Sequence, residues 1–222
     1  MGIVMVVAPH ADDETLGCGG TLLYHRHIGD EINWVIATTI SKEIGYRSLF
    51  IKKRNKEILD IAAKYGFSSV YQSKNLATTL DQVSKKDIVA EYKEIIDRVK
   101  PDTIYMPFRY DAHDDHKITY DALIATVKPF RTPFVKNLRV YETRSETEIG
   151  SLTGFNGFTP NLWIDITNFL DEKIDIMKMY ESEIQKNPYP RSEESLRALA
   201  KSRGTEVMMN SAESFMSIRE LL

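Results

Sequence analysis

The sequence predicts an α/β protein in which a mostly parallel sheet is covered by helices on both faces. Apolar runs of strand length alternate with segments of helical periodicity along most of the chain, the pattern of βαβ units. The strand candidates are also largely continuous apolar runs, as strands buried on both faces require.

Taken in order, GIVMVVA at residues 2–8 predicts the first strand and 12–28 a helix. INWVIATT predicts a second strand, followed by a polar loop and a helix across LFIKKRNKEILDIAAKYG. In that helix Ile51, Ile58, Leu59, Ala62 and Tyr65 recur at roughly 3.6-residue spacing and predict its buried face. Gly66 is a natural stop. SVYQ predicts a short third strand, and KDIVAEYKEIIDRVK a helix ending before Pro101. DTIYMPF and LRVYETR predict strands four and five, with a helix at 117–128 between them. NLWIDIT predicts a sixth strand, with helical segments at about 168–186 and 191–202 beyond it. The stretch 144–160 is long for a connector. It reads as a mobile rim over a pocket, hinged at Gly154 and Gly157 around Phe155, or else as a solvated insertion.

Composition narrows the function. The 222 residues suit a single domain, 1–222, with 42% hydrophobic and 27% charged residues as in ordinary soluble proteins. A net charge of −3 and a pI near 6.0 provide no basic field for nucleic acid. No stretch approaches a membrane span, and the N-terminal apolar run lacks the length and basic start of a signal. Cys18 is the only cysteine, which excludes an intrachain disulfide and fits a reducing compartment. A cytoplasmic protein with neither nucleic-acid nor membrane partners is expected.

Chemistry concentrates in two places. APHADDETLGCGG, residues 8–20, follows the first strand and brings His10, Asp12, Asp13 and Glu14 to its carboxyl end, where open parallel sheets bind ligands. One carboxylate there is explained by a helix cap, since acids suit a helix N-terminus. A histidine and three consecutive acids are not. A phosphate loop fits poorly, because Gly17, Gly19 and Gly20 lie inside the predicted helix, where they more naturally admit close packing on the sheet. After the fourth strand, RYDAHDDHKITYDAL places His113, Asp114, Asp115 and His116 on the same rim. Three of the five histidines sit in these two clusters, and together they point to a divalent metal site. His25 and His27, at the far end of the first helix, read as surface residues.

These residues resemble a family. APHADDETLGCGGTL is similar to the PHPDDE signature of the PIG-L/LmbE-like N-acetylglucosaminyl deacetylases, and HDDH to that family's HPDH signature. The likeness continues through RNKE at 54–57, NLWIDIT, LRALAKSRG and AESFMSIR, nearly the whole chain in order. Ala11 and Asp114 replace the prolines of the two signatures without removing a reactive group. The resemblance implies a Rossmann-like three-layer sandwich and a metal-dependent deacetylase. It would hydrolyse an N-acetyl amide on an amino sugar or glycoconjugate. His10, Asp13 and His116 would bind the metal, with Asp12 as general base. His113 would stabilise the oxyanion or act as an acid, with Asp115 as its orienting partner favouring the imidazolium.

Two imidazoles and one carboxylate leave positions open for water and substrate, as catalytic rather than structural zinc does; Fe2+ suits the same donors. Arg54 matches a family arginine that contacts substrate oxygens, and reads equally as a helix arginine paired with Glu57. Glu14 takes a structural role, and Asp111 and Asp114 read as solvated loop acids. Tyr110, Phe155, Phe158 and Trp163 would supply a sugar platform together, though core or lid packing suits each singly. Family members are often homo-oligomers. Two rivals stand beside the hydrolase. One is a non-haem Fe(II) oxygenase, because two histidines and a carboxylate also form its facial triad. The other is a non-catalytic sugar-binding homologue, against which the presence of Asp12 and His113 argues. The sequence leaves the acyl acceptor open.

Overall fold

The computed structural model describes residues 1–152 and 157–221. Its strands are β1 (Ile3–Ala8), β2 (Glu31–Ile36), β3 (Ser69–Gln72), β4 (Thr103–Pro107), β5 (Asn137–Tyr141), β6 (Leu162–Asp165) and β7 (Ala212–Arg219). They form one sheet in the order β3-β2-β1-β4-β5-β7-β6. β3 to β5 pair in parallel, and β7 runs antiparallel between β5 and β6. The helices are α1 (Asp13–His27), α2 (Ser48–Tyr65), α3 (Lys85–Val99), α4 (Asp114–Thr126), α5 (Thr147–Ser151), α6 (Leu170–Met179) and α7 (Glu193–Thr205).

The sheet separates two apolar cores. On one face Leu16 and Leu22 of α1, Ile58 of α2, Ile174 of α6 and Leu196 of α7 pack on Trp34, Tyr105 and Phe215. On the other, Ile88 and Tyr92 of α3 and Leu123 of α4 pack on Met5, Val7 and Ile104. The expected mostly parallel three-layer sandwich is therefore the observed one. Chain order reverses between β1 and β4, so the crevice that receives ligands in such sheets opens between their carboxyl ends.

Several features differ from the sequence expectation. β7 is an additional strand, disguised because Glu213 and Ser214 interrupt its apolar run and are nevertheless buried. Glu213 has a partner set of its own. α1 is broken at Cys18 (φ −144°, ψ 24°), and the freed amides of Gly20 and Thr21 donate to the Glu213 carboxylate at 2.9 and 2.7 Å. The Lys173 ammonium joins the same carboxylate at 2.6 Å. On α2 the buried face is Arg54, Glu57, Ile58, Ile61 and Tyr65, whereas Leu59 is 70% exposed. Polar residues on the inward stripe misled the apolar count. α4 begins at Asp114, three residues before the expected start, and α6 ends at Met179.

His25 is a buried residue, not a surface one. Its Nδ1 lies 2.8 Å from Asp30 Oδ2 and its Nε2 2.9 Å from the Tyr105 hydroxyl, which also accepts from Arg139 at 2.9 Å. Burial, against the pull of Asp30, lowers its pKa and keeps the ring neutral. No helix among the described residues is long and apolar enough to cross a membrane.

Of the α1 glycines, Gly17 meets the sheet at close range, as the sequence predicted, whereas Gly19 meets Tyr65 of α2 and Lys173 of α6 and Gly20 meets Ile166 just beyond β6. A Cβ on Gly17 would lie 2.2 Å from Tyr141 Cδ2, and one on Gly20 would lie 2.7 Å from Ile166 Cγ2. Gly17→Ala therefore forces α1 away from β5 and should cost about 1–3 kcal/mol, the usual toll of overpacking. Chemical denaturation checks this. Unchanged stability would mean that the ring of Tyr141 moves aside freely.

Candidate active site

β1 ends at Ala8, and the next four residues turn sharply into α1. Asp12 carries the strain of that turn, with φ 150° and ψ −26°, a region that side chains other than glycine rarely enter. Its backbone is held on both sides. The Asp12 N–H donates to Glu14 Oε2 at 3.1 Å, and its carbonyl accepts from the amides of Thr15 and Leu16. Glu14 is fully buried and accepts from the hydroxyls of Thr15 (2.6 Å) and Tyr180 (2.8 Å). Burial outweighs these bonds and pushes its carboxyl up to about 8. The structural role expected of Glu14 is thus to pin the turn.

Asp13, one residue on, faces the other way. Its Oδ2 accepts from the His10 N–H at 2.8 Å and lies 3.4 Å from His10 Nδ1 and 3.3 Å from His116 Nε2. Despite burial, His116 and His10 hold its carboxyl well below the usual range. Each ring is gripped from behind by another acid. His10 Nε2 lies 2.9 Å from Asp115 Oδ2, and His116 Nδ1 2.7 Å from Asp111 Oδ2. With those far nitrogens held by the acids behind them, His10 Nδ1 and His116 Nε2 are the atoms that face Asp13, and they would turn lone pairs to a cation once it displaced their protons.

His10, Asp13 and His116 form a group whose ligand atoms all lie within 4.8 Å of one another, and they could hold a metal ion. One further observation fits a cation. Asp13 Oδ1 is buried without a hydrogen-bond partner among the described residues, a costly state for a carboxylate oxygen. His10, His113 and Asp115 also meet the distance criterion. Asp115, however, is already engaged. Its oxygens accept from the amides of Thr78 (2.7 Å) and Leu80 (3.2 Å) as well as facing His10.

That engagement changes the expected role of Asp115. Its carboxylate lies 3.9 Å from His113 Nδ1, which instead accepts from the Asp115 backbone N–H at 3.1 Å as the cap of α4. Burial, then the nearby His10, lowers the His113 pKa. The expected imidazolium is therefore a neutral ring with its proton on Nε2. Asp111 is likewise no solvated loop acid. It is buried between His116 and the Thr147 hydroxyl, which donates at 2.5 Å. Its spacing of five residues before His116 was the available signal.

Beside this cluster opens a cleft of about 210 Å³. It is lined by His10, Asp12 and His113, by Ile40, Tyr46, Phe50 and Ala77, and by Glu146, Glu183 and Arg191. The sequence reading missed Arg191. Its Nη1 donates to Asp12 Oδ2 at 2.7 Å and to Glu183 at 3.1 Å, and its Nε to Ser145 at 3.0 Å. Burial raises the Asp12 carboxyl to about 7 even though Arg191 pulls the other way. Arg54 also lines the cleft, but its nitrogens are spent on the Ala11 carbonyl (2.7 Å), Ser182 (2.7 Å), Glu183 and Glu57.

The three described aromatics each make protein contacts of their own, as the single-residue reading expected. Phe158 packs edge-on against Phe108, Trp163 donates to Glu206 from β6, and Tyr110 meets Phe108 edge-on outside the cleft. Phe155 and Gly154 lie outside the described residues. Of the long connector, Glu146 reaches the cleft and Thr147 supports Asp111.

Comparison with known proteins gives consistent relatives. The sequence profile of the PIG-L family, described as GlcNAc-PI de-N-acetylase, matches residues 5–127, more than half the chain. Diacetylchitobiose deacetylase of Thermococcus kodakarensis is 22% identical over 214 residues, covering 89% of this chain and 76% of the relative. The solved structure of conserved protein TT1542 from Thermus thermophilus matches at a TM-score of 0.79 and 24% identity, covering 100% of this chain and 97% of that one. N,N'-diacetylchitobiose deacetylase from Pyrococcus horikoshii matches at 0.77 and 21%, covering 98% and 84%. At these identities the structural likeness speaks for the fold, and chemistry must be read from the residues.

Metal uptake should depend steeply on pH. Burial lowers both imidazole pKa values, but the surrounding carboxylates win, raising His10 to about 9 and His116 to about 10 in the metal-free protein. A cation must displace those protons, so affinity rises with pH up to that range and falls as the solution is acidified. Calorimetric Zn2+ titrations in buffers of different ionisation heat should register proton release and a weakening Kd from pH 8 to 6. A pH-independent Kd with no proton release would show that the cation binds elsewhere.

Proposed function

The chain belongs to the PIG-L family, described by GlcNAc-PI de-N-acetylase, and on that premise we propose a metal-dependent hydrolase of N-acetylated amino sugars or glycoconjugates. It cleaves the amide C–N bond and releases acetate and a free amine. The observation that carries this reading is the division between two adjacent carboxylates. Asp13 is sunk between two imidazoles, while Asp12 opens on the cleft with its carboxyl raised to about 7.

His10, Asp13 and His116 would hold the metal, and their donor set suits Zn2+, with Fe2+ compatible. When bound, such an ion supplies a Lewis acid that acidifies water and polarises an amide carbonyl. The remaining work falls to the chain. Asp12 accepts a proton from the attacking water and returns it to the leaving nitrogen, a task suited to a group titrating near neutrality. Arg191 keeps the Asp12 carboxylate in place while Glu183 and Ser145 keep Arg191 in place. His113, neutral and with Nε2–H available, donates to the carbonyl oxygen as it gains charge. Asp115 orients His10 through its carboxylate, and its backbone N–H donates to His113 Nδ1, the cap of α4. Arg54 lines the cleft and steadies the Ala11 carbonyl beside Asp12, and the substrate contact that the resemblance implies would require it to release one of its present partners.

The proposal includes residues 1–222 as one domain, which the single seven-stranded sheet supports. It also includes a cytoplasmic setting, which the lone buried thiol of Cys18 supports.

Acetate release from a panel of N-acetylated sugars by the Zn2+-loaded protein tests the activity, and two variants test the division of labour. Asp12→Asn should retain metal and lose on the order of 10² to 10⁴ in kcat. Asp13→Asn should lose the metal itself. Equal metal loss in both would exchange the roles, and O2-dependent turnover without acetate would replace the hydrolase by an oxygenase.

A further inference from the structure

We propose that Tyr180, buried just past the end of α6, is a positioning residue for the reaction. It joins Glu14 and Arg54 into a clamp on the Ala11–Asp12 peptide and so sets where the Asp12 carboxylate points. This rests on Asp12 acting as the base, as read above, and it gives Arg54 a hold on the backbone in place of a hold on substrate.

The clamp closes on both edges of one peptide group. Arg54 Nη1 donates to the Ala11 carbonyl at 2.7 Å, and on the opposite edge the Asp12 N–H donates to Glu14 Oε2 at 3.1 Å. Beyond the Asp12 Cα, the amides of Thr15 and Leu16 donate to the Asp12 carbonyl at 3.0 and 2.9 Å. Rotation about either backbone bond of Asp12 therefore breaks one of these hydrogen bonds. That is what its φ of 150° demands, since such a conformation persists only where its surroundings over-determine it. The carboxylate branches from this Cα, so the clamp fixes the origin of the arm that carries it.

Tyr180 is the joint between the two jaws. Its hydroxyl donates to Glu14 Oε1 at 2.8 Å, and the Arg54 guanidinium lies over its ring, 5.5 Å from the centroid. Glu14 Oε1 also accepts from the Thr15 hydroxyl at 2.6 Å, which lies 3.0 Å from the hydroxyl of Tyr65 on α2. All of these side chains are buried. A carboxyl, a guanidinium and two phenols in that position are costly unless each finds a partner, and here the partners run in one line to the peptide beside the base. The line bypasses the candidate metal ligand. Asp13 is held separately, by the His10 amide and the imidazoles of His10 and His116. The clamp therefore acts on Asp12 and leaves Asp13 where it is.

The test is Tyr180→Phe in the Zn2+-loaded protein, which removes the hydroxyl and keeps the ring. On whichever N-acetylated sugar of the panel above releases acetate fastest, kcat should fall about three- to thirtyfold, short of the roughly 10²-fold that misplacing a reacting group by about 1 Å costs. KM and zinc content should stay at the wild-type level. A loss carried by KM, or one that follows lost zinc, overturns the proposal, as does an unchanged kcat. Glu14→Gln tests the route, because the single acceptor oxygen of an amide cannot replace the two that now serve Asp12, Thr15 and Tyr180. The double variant should lose little more than Glu14→Gln alone, and a loss equal to the product of the two single losses overturns the clamp. Hydrogen exchange separates the clamp from the hydrolase reading. Residues 9–16 should exchange faster in Tyr180→Phe while 113–119 keep their protection. That result, with no acetate released by the wild type, sustains the clamp and overturns the hydrolase. Unchanged exchange at 9–16 overturns the clamp alone.

Discussion

One buried charge organises the pocket. Asp13 sits at the first turn of α1 with its carboxylate inside the protein, where an unpaired anion would be prohibitively expensive. The His10 amide and two imidazoles answer that charge from β1 and from α4. The rings need backing of their own, so Asp115 and Asp111 are drawn in behind them, and these need donors from Thr78, Leu80 and Thr147. A single carboxylate thereby fixes the loops after β1, β3, β4 and β5. This is possible only because β1 and β4 are parallel neighbours, delivering both loops to the same edge.

What the sequence made legible follows the same logic. β1, β2 and β4 announced themselves as nearly continuous buried runs, and β3, β5 and β6, whose burial is more mixed, as short apolar segments set between helices. β7 did not, because Glu213 and Ser214 are buried through hydrogen bonds rather than hydrophobicity, and no periodicity count registers a partner 40 residues away in Lys173. His25 failed as a surface residue for the same reason, its partners Asp30 and Tyr105 lying on other elements. At the site, His10, Asp12, Asp13, His113 and His116 were visible as clusters of reactive types behind strands. Arg191 was invisible, since nothing in NPYPR distinguishes an arginine that crosses to Asp12 from one in water.

Arg191 and Arg54 show how the far end of the chain reaches the chemistry. Glu183 receives both guanidiniums, and through them it is tied to the Asp12 carboxylate and the Ala11 carbonyl. The turn between β1 and α1 is thus gripped by α2 and by the segment after α6. Adjacent carboxylates acquire opposite characters from this arrangement. Burial raises Asp12 because one arginine only partly compensates it, whereas two imidazoles more than compensate Asp13. Environment, and not residue type, separates the candidate base from the candidate ligand.

The two prolines missing from the resembled signatures are explained by the same contacts. At Ala11 the chain gives up a locked φ directly before the strained Asp12, and Arg54 supplies the restraint instead by donating to the Ala11 carbonyl. Asp114 stands at the first position of α4, behind the His113 cap. Proline suits that position because its missing N–H is unpaired there anyway. An aspartate suits it too, through its charge at the positive end of the helix. Neither replacement moves a side chain off the rim, because the loops are held by polar contacts with the buried acids rather than by the stiffness of their backbones. A site organised in this way tolerates a change of loop residue more readily than the loss of Asp13, Asp111 or Asp115, each of which holds another group in place.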